Sequence, residues 1–161
     1  MNAPRDQLIK TLEQTEPTLL QLTSALADDA LDFRADPDDW SIREILAHLV
    51  DDEMYVMRTR LERIVKEDEP HLAPHDEKRW YANRNTTRDA LDELLADFSL
   101  QRAASLGMIR MLRDSDWART GFQPEYGTFT GEDWLGHWAT HDTTHIRQIQ
   151  STLERYRDVA G

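Results

Sequence analysis

Three of the six histidines in the chain, His137, His141 and His145, stand four residues apart in the segment GHWATHDTTHIRQI. On an α-helix a step of four overshoots a full turn by about 40°, so adjacent members of such a series share a face and two imidazoles can close on one cation. His141 and His145 fall at the edge of the apolar arc made by Trp138, Ile149 and Leu153. His137 is turned further toward solvent, a surface or supporting position. His48 holds a comparable place at the rim of another apolar arc, with Asp52 on the same face four residues later. Glu53 and Arg60 fall nearer the middle of that arc, where a charge is costly without a partner or a site to serve.

Each of these residues also has a plainer reading. A histidine at a helix edge is commonly a partly buried, hydrogen-bonded residue, and Glu53 and Arg60 can belong to ion pairs inside the fold, with Arg58 or Arg63 as partners. His71 and His75 lie in a polar, proline-bearing stretch and read as solvent residues. An i, i+4 pair of neutral imidazoles on an apolar edge is more informative, because it gains less from packing than two leucines would. With no cysteine in the chain, disulfides, thiolate ligands and thiol nucleophiles are excluded, and any metal must be held by nitrogen and oxygen. Imidazole nitrogen accepts nickel, zinc, copper or iron.

Four helices must position these side chains. The periodicity predicts the first over Arg5 to Ala27, carried by Leu8, Leu12, Leu19, Leu22 and Leu26 and kinked at Pro17. The second opens at Ser41 with Glu44 three residues on, a capping box, and continues to about Lys66 before EDEPHLAPHDE breaks it. A connection of some 20 residues follows. The third spans roughly Thr87 to Arg113, and the fourth starts at a second capping box, Thr130 with Asp133, and runs to about Tyr156. No alternating run of strand length competes with them. Four helices in 161 residues give a single all-α domain over 1–161, a four-helix bundle, a fold whose core commonly builds metal sites from inward side chains.

The formal net charge of −12 repels a phosphate backbone, so nucleic acid is not expected as a partner. Tryptophan is plentiful, but WLGHWATHD carries no Lys or Arg that would make it a nucleic-acid stripe. No apolar run approaches the roughly 20 residues that cross a bilayer, and MNAPRDQLIK lacks the pattern of a signal peptide. A cytoplasmic protein acting on a small molecule, with no membrane partner, is the expectation.

Together DDWSIREILAHLVDDE, DEKRW and GHWATHDTTHIRQI resemble the DinB-like superfamily of bacterial proteins, nearly end to end. In that family a Trp-Ser pair opens the second helix, a histidine follows within two turns, and a His-x-x-x-His-x-x-Gln-Ile pattern closes the site from the fourth helix. Here these are Trp40, Ser41, His48, His141, His145, Gln148 and Ile149. The resemblance implies a bundle of the DinB/YfiT type in up-down-down-up order, with the long connection after the second helix as its crossover, and homodimers. It also implies a divalent metal, nickel or zinc, with His48, His141 and His145 as ligands and one or more positions left to water or substrate.

The family includes bacillithiol- and mycothiol-dependent thiol transferases, hydrolases, and members without an assigned reaction. The leading expectation is a metal-dependent S-transferase that joins a low-molecular-weight thiol cofactor to an electrophile, the metal keeping the sulfur as thiolate. The alternative is a hydrolase in which the metal acidifies a water and Asp52 or Glu53 acts as base. A third reading is a non-catalytic, metal-stabilised stress or binding protein, favoured by a closed shell in which Asp52 is the fourth ligand.

Overall fold

The computed structural model describes residues 3–161. Its elements are α1 (Arg5–Thr23), α2 (Asp28–Leu31), α3 (Ile42–Asp52), a π-helical segment (Glu53–Arg58), α4 (Thr59–Lys66), α5 (Glu77–Asn83), a 3-10 turn (Thr86–Arg88), α6 (Leu91–Met111), α7 (Asp114–Trp117), β1 (Thr120–Gln123), β2 (Gly127–Thr130) and α8 (Gly131–Ala160). Four long rods result: α1, the continuous α3–π–α4 rod, α6 and α8. Both expected capping boxes form, Ser41 with Glu44 and Thr130 with Asp133. α1 passes through Pro17 without a break.

Contacts between the rods fix their directions. Arg5 meets Glu132 and Thr15 meets Asp142, so α1 and α8 run parallel. His48 meets His141 while Trp134 bonds to Met57, so the α3–α4 rod opposes α8. Arg43 meets Asp89 and Arg58 meets Gln101 and Ser105, so α6 follows the α3–α4 rod. The order is therefore up-down-down-up. The crossover it requires is not bare loop: it carries α5 and the 3-10 turn, two short elements the periodicity does not announce.

The all-α bundle carries one small addition that the periodicity does not announce, the antiparallel hairpin β1–β2 with Gly121 opposite Phe129. Each strand is four residues long, too short for alternation to register, and the turn is built by local devices. Gly127 takes a left-handed φ of 75°, and the side chain of Gln123 accepts the backbone N–H groups of Glu125 and Tyr126. Backbone bonds between Leu72 and Phe122, and between Phe122 and Pro70, tie the stretch after α4 to this hairpin.

The apolar interior falls into two clusters. One gathers Leu12, Val56, Met57, Leu61, Trp134 and Trp138 with their neighbours, the other Leu19, Ile45, Leu49, Phe98, Ile149 and Leu153 with theirs. Between them every rod contributes buried polar groups: Thr15 from α1, His48 and Asp52 from α3, Glu53 from the π segment, Arg102 from α6 and Asp142 from α8. A polar layer thus crosses the bundle at mid-height. No helix among the described residues is long and apolar enough to cross a membrane.

Candidate metal centre

One half of the polar layer is a structural ion network. Arg102, 1% exposed, donates Nε to Glu53 Oε2 at 2.7 Å and Nη2 to Glu53 Oε1 at 2.8 Å. It also donates Nη1 to Asp142 Oδ2 at 2.7 Å and to the Leu12 carbonyl at 2.8 Å. Trp138 Nε1 adds a bond to Glu53 Oε1, and the Thr15 hydroxyl one to Asp142 Oδ2. Charge-assisted bonds in this number compensate the desolvation of three ions. Glu53 is corrected here on two points. Its ion-pair partner is Arg102, not Arg58 or Arg63, and with both oxygens committed it is not placed to act as a base beside the histidines. Arg58 instead bonds Gln101 and Ser105, and Arg63 pairs with Glu67.

The other half of the layer is the histidine cluster. α3 and α8 bring His48, His141 and His145 together so that one ligand atom of each lies within 4.8 Å of the others. His48 Nε2 faces His141 Nε2 at 3.1 Å, and Asp52 Oδ2 lies 3.4 Å from both. A tetrahedral ion with bonds of about 2.0–2.1 Å holds its ligand atoms about 3.3 Å apart, so this spacing suits a metal. Glu77 Oε1, at 3.7 Å from His48 Nε2, reaches the same point from α5, so His48 and His141 belong to two overlapping sets, one completed by His145 and one by Asp52 and Glu77.

Protonation favours the same use. Burial, followed by the opposing pull of Asp52, leaves the His48 imidazole with its pKa pushed down to about 3, and burial lowers that of His145 as well. Both are neutral at physiological pH and present lone pairs. The side-chain oxygen of Gln148 sits 2.9 Å from His145 Nδ1. An amide oxygen only accepts, so Nδ1 carries the proton and Nε2 is free for an ion. That is the physical content of the His-x-x-Gln spacing. Burial pushes the Asp52 carboxyl up, but the hydrogen bond with His141 and the imidazoles around it outweigh burial and hold it below the usual carboxylate range. Its Oδ1 is buried and has no hydrogen-bond partner. Burial and Asp52 together raise the Glu77 carboxyl.

Sequence reasoning missed two residues. His75, expected in solvent, is half-buried with Nε2 3.3 Å from Asp52 Oδ1, because the crossover folds over the mouth of the cluster. Glu77, in DEKRW, comes with it at the start of α5. The one available signal was DEKRW itself, part of the resemblance without an assigned role. His71 is exposed as expected, and exposed His137 stacks on Trp134 with ring centroids 4.9 Å apart. Trp40 packs against His48 at 4.9 Å between centroids and braces its ring.

The sequence pattern that defines the DinB superfamily matches residues 11–149. A Bacillus subtilis protein named "Putative metal-dependent hydrolase YfiT" is 26% identical over 154 residues, which cover 94% of this chain and 85% of that one. "Putative metal-dependent hydrolase OB0782" of Oceanobacillus iheyensis is 27% identical over 161 residues, with 93% and 86% covered. The solved structure of YfiT, described as a probable metal-dependent hydrolase with an unusual four-helix bundle topology, superposes with a TM-score of 0.82 over 94% of this chain and 86% of that one, at 26% identity. A mycothiol-dependent maleylpyruvate isomerase shares the fold, with a TM-score of 0.69 and 12% identity over 89% of this chain and 60% of that one.

Proposed function

The chain belongs to the DinB superfamily, and on that premise we propose that it is a metal-dependent enzyme whose divalent ion, nickel or zinc, is held by His48, His141 and His145. The observation that carries this reading is the convergence of three imidazoles, two of them kept neutral by burial, on one point beside an ionised carboxylate. When bound, the ion would supply Lewis acidity that lowers the pKa of a nucleophile at its open position. The chain's own part is to orient and to move a proton. Gln148 holds the His145 ring and Trp40 the His48 ring. Asp52, ionised and with Oδ1 unpartnered, accepts the proton of the nucleophile, and His75 lies 3.3 Å from that oxygen to relay it outward. The polar network around Arg102 fixes Glu53 and Asp142, and through them their sequence neighbours Asp52 and His141.

Hydrolysis, with water as the nucleophile, is the reaction supported by the names of the relatives that match over most of their length. Thiol transfer is the second reading, because the same fold serves a mycothiol-dependent isomerase and the same proton acceptor serves a thiol. In either case the substrate is a small molecule, the assembly a homodimer and the compartment the cytoplasm.

The test begins with elemental analysis of untagged protein. About one nickel or zinc per chain is expected, lost in His48→Ala, His141→Ala and His145→Ala and kept in His71→Ala. No ion bound, and none taken up on reconstitution, defeats the reading. Loaded protein is then assayed against activated esters and against a small thiol with an electrophile. Asp52→Asn should abolish whichever activity appears.

A further inference from the structure

Arg60 is the charge that the fold leaves unexplained. Glu53, its companion anomaly in the sequence, is answered by Arg102. Arg60 lies half-buried on α4, and its one hydrogen bond among the described residues is from Nη2 to the Ala73 carbonyl at 2.7 Å. Among the described residues no carboxylate lies within ion-pair distance of it. Arg43 pairs with Asp28 and Asp32, and Arg84 with Asp51 and Asp89, while Arg58, also without a carboxylate, spends its donors on three bonds to Gln101 and Ser105. The guanidinium carbon of Arg60 sits 5.3 Å from the centroid of the Trp134 ring, a cation–π contact that leaves most of its N–H donors unspent. Burial lowers its pKa, with Tyr126, Asp52 and Glu125 opposing the shift without cancelling it.

Three elements place this group at the rim of the histidine cluster. Arg60 follows Asp52 by eight residues on one rod, across the π-helical segment, and Asp52 is among the charges that act on it. The carbonyl that holds it belongs to Ala73, two residues before His75, which contacts Asp52. The ring beneath it, Trp134, stacks on His137, one turn before His141. Tyr126 at the hairpin tip closes the side, 5.3 Å from His137 between ring centroids.

We propose that Arg60 is the anchor for a carboxylate group on the substrate, seated at the rim of the metal centre between α4, the stretch before α5 and the start of α8. The proposal rests on the metal-site reading above and adds the substrate class, a small organic acid. A planar fork of N–H donors matches a carboxylate. A half-buried cation without a direct anionic partner is satisfied when a ligand brings one. Asp52 and Glu77 nearby exclude more highly charged anions, a dianionic phosphate among them, so a monoanion with an apolar body suits the aromatic walls.

The test uses benzoate and its uncharged counterpart benzamide, titrated by calorimetry into metal-free and nickel-loaded protein. Benzoate should bind both forms and benzamide neither. Arg60→Met should weaken benzoate binding about tenfold or more, the loss of a charge-assisted pair, in both forms and with nickel content unchanged. Arg60→Lys, which keeps the charge without the fork, should fall between, and it decides the matter if Arg60→Met does not fold. Absence of benzoate binding to the native protein, equal binding of benzamide, or indifference to Arg60 overturns the proposal. Loss of nickel uptake with benzoate binding intact would instead count against the metal site alone.

Discussion

Replacing Arg102 with Met should be among the most damaging single changes in the chain, and the structure says by how much. The guanidinium is 1% exposed and makes five hydrogen bonds, four to Glu53 and Asp142 and one to the Leu12 carbonyl. Met fills most of the volume, so the loss is electrostatic: two carboxylates, each at most 2% exposed, keep their charge and lose their cation. Removing one partner of a buried ion pair typically destabilises by about 3–5 kcal/mol, a large share of the 5–15 kcal/mol or so that holds a domain of this size. Urea unfolding of metal-free protein at pH 8 measures it. The companion variant Arg102→Met, Glu53→Gln, Asp142→Asn removes both orphaned charges while retaining acceptors for Trp138 and Thr15. It should recover at least half of the loss, a coupling that independent sites do not show. The deficit of the single variant relative to the native protein should also shrink from pH 8 toward pH 5, because a buried carboxylate without a cation relieves its cost by taking up a proton. A loss below about 1 kcal/mol, or a triple variant no better than the single one, would refute the reasoning and make the network incidental.

Acid should destabilise the metal-free protein through His48. Its imidazole titrates near 6.5 when exposed and at about 3 in the fold, so its contribution is complete above pH 6.5 and is lost as pH falls toward 3, by about 2 kcal/mol at pH 5. His48→Gln should show a loss between pH 8 and pH 5 smaller by that amount; parallel profiles would count against a neutral buried imidazole. Asp52→Asn should weaken nickel or zinc binding about 10- to 100-fold in a chelator competition, and unchanged affinity would show that Asp52 neither binds nor supports the ion. Ser41→Ala, which deletes the hydroxyl half of the first capping box, should lower the unfolding free energy by about 1 kcal/mol.

The long-period features of this fold were legible because they repeat. Leucine spacing gave four rods, and each capping box marked a start that the structure reproduces at Ser41 and Thr130. The convergence of His48 on His141 and His145 joins residues 93 positions apart, and it could be anticipated only from the resemblance, since periodicity places a residue on a face without saying which face it meets. The reach of His75 and Glu77 was illegible for the same reason, as both depend on where a nonperiodic crossover lands. Glu53 was recognisable as an anomaly but not as the partner of Arg102, because on α6 Arg102 is one charge in an otherwise ordinary apolar ridge. The hairpin escaped notice because four residues per strand give two inward positions, too few to make a pattern.

The π-helical segment at Glu53–Arg58 carries about one residue more than an α-helical turn would need, and the Thr59 hydroxyl accommodates the widened turn by donating to the Met54 carbonyl, five residues back. Each residue turns a helix by about 100°, so the rod is written in two phases. Residues before the segment are in phase with the ion site, and those after it, Leu61 and Ile64 among them, with the tryptophan-rich core and the hairpin. Deleting a single codon in this stretch would let the backbone ladder close as ordinary α-helix while swinging His48 and Asp52 more than a quarter turn away from α8. The reading frame of the helix, as much as the identity of its side chains, is therefore what the site inherits.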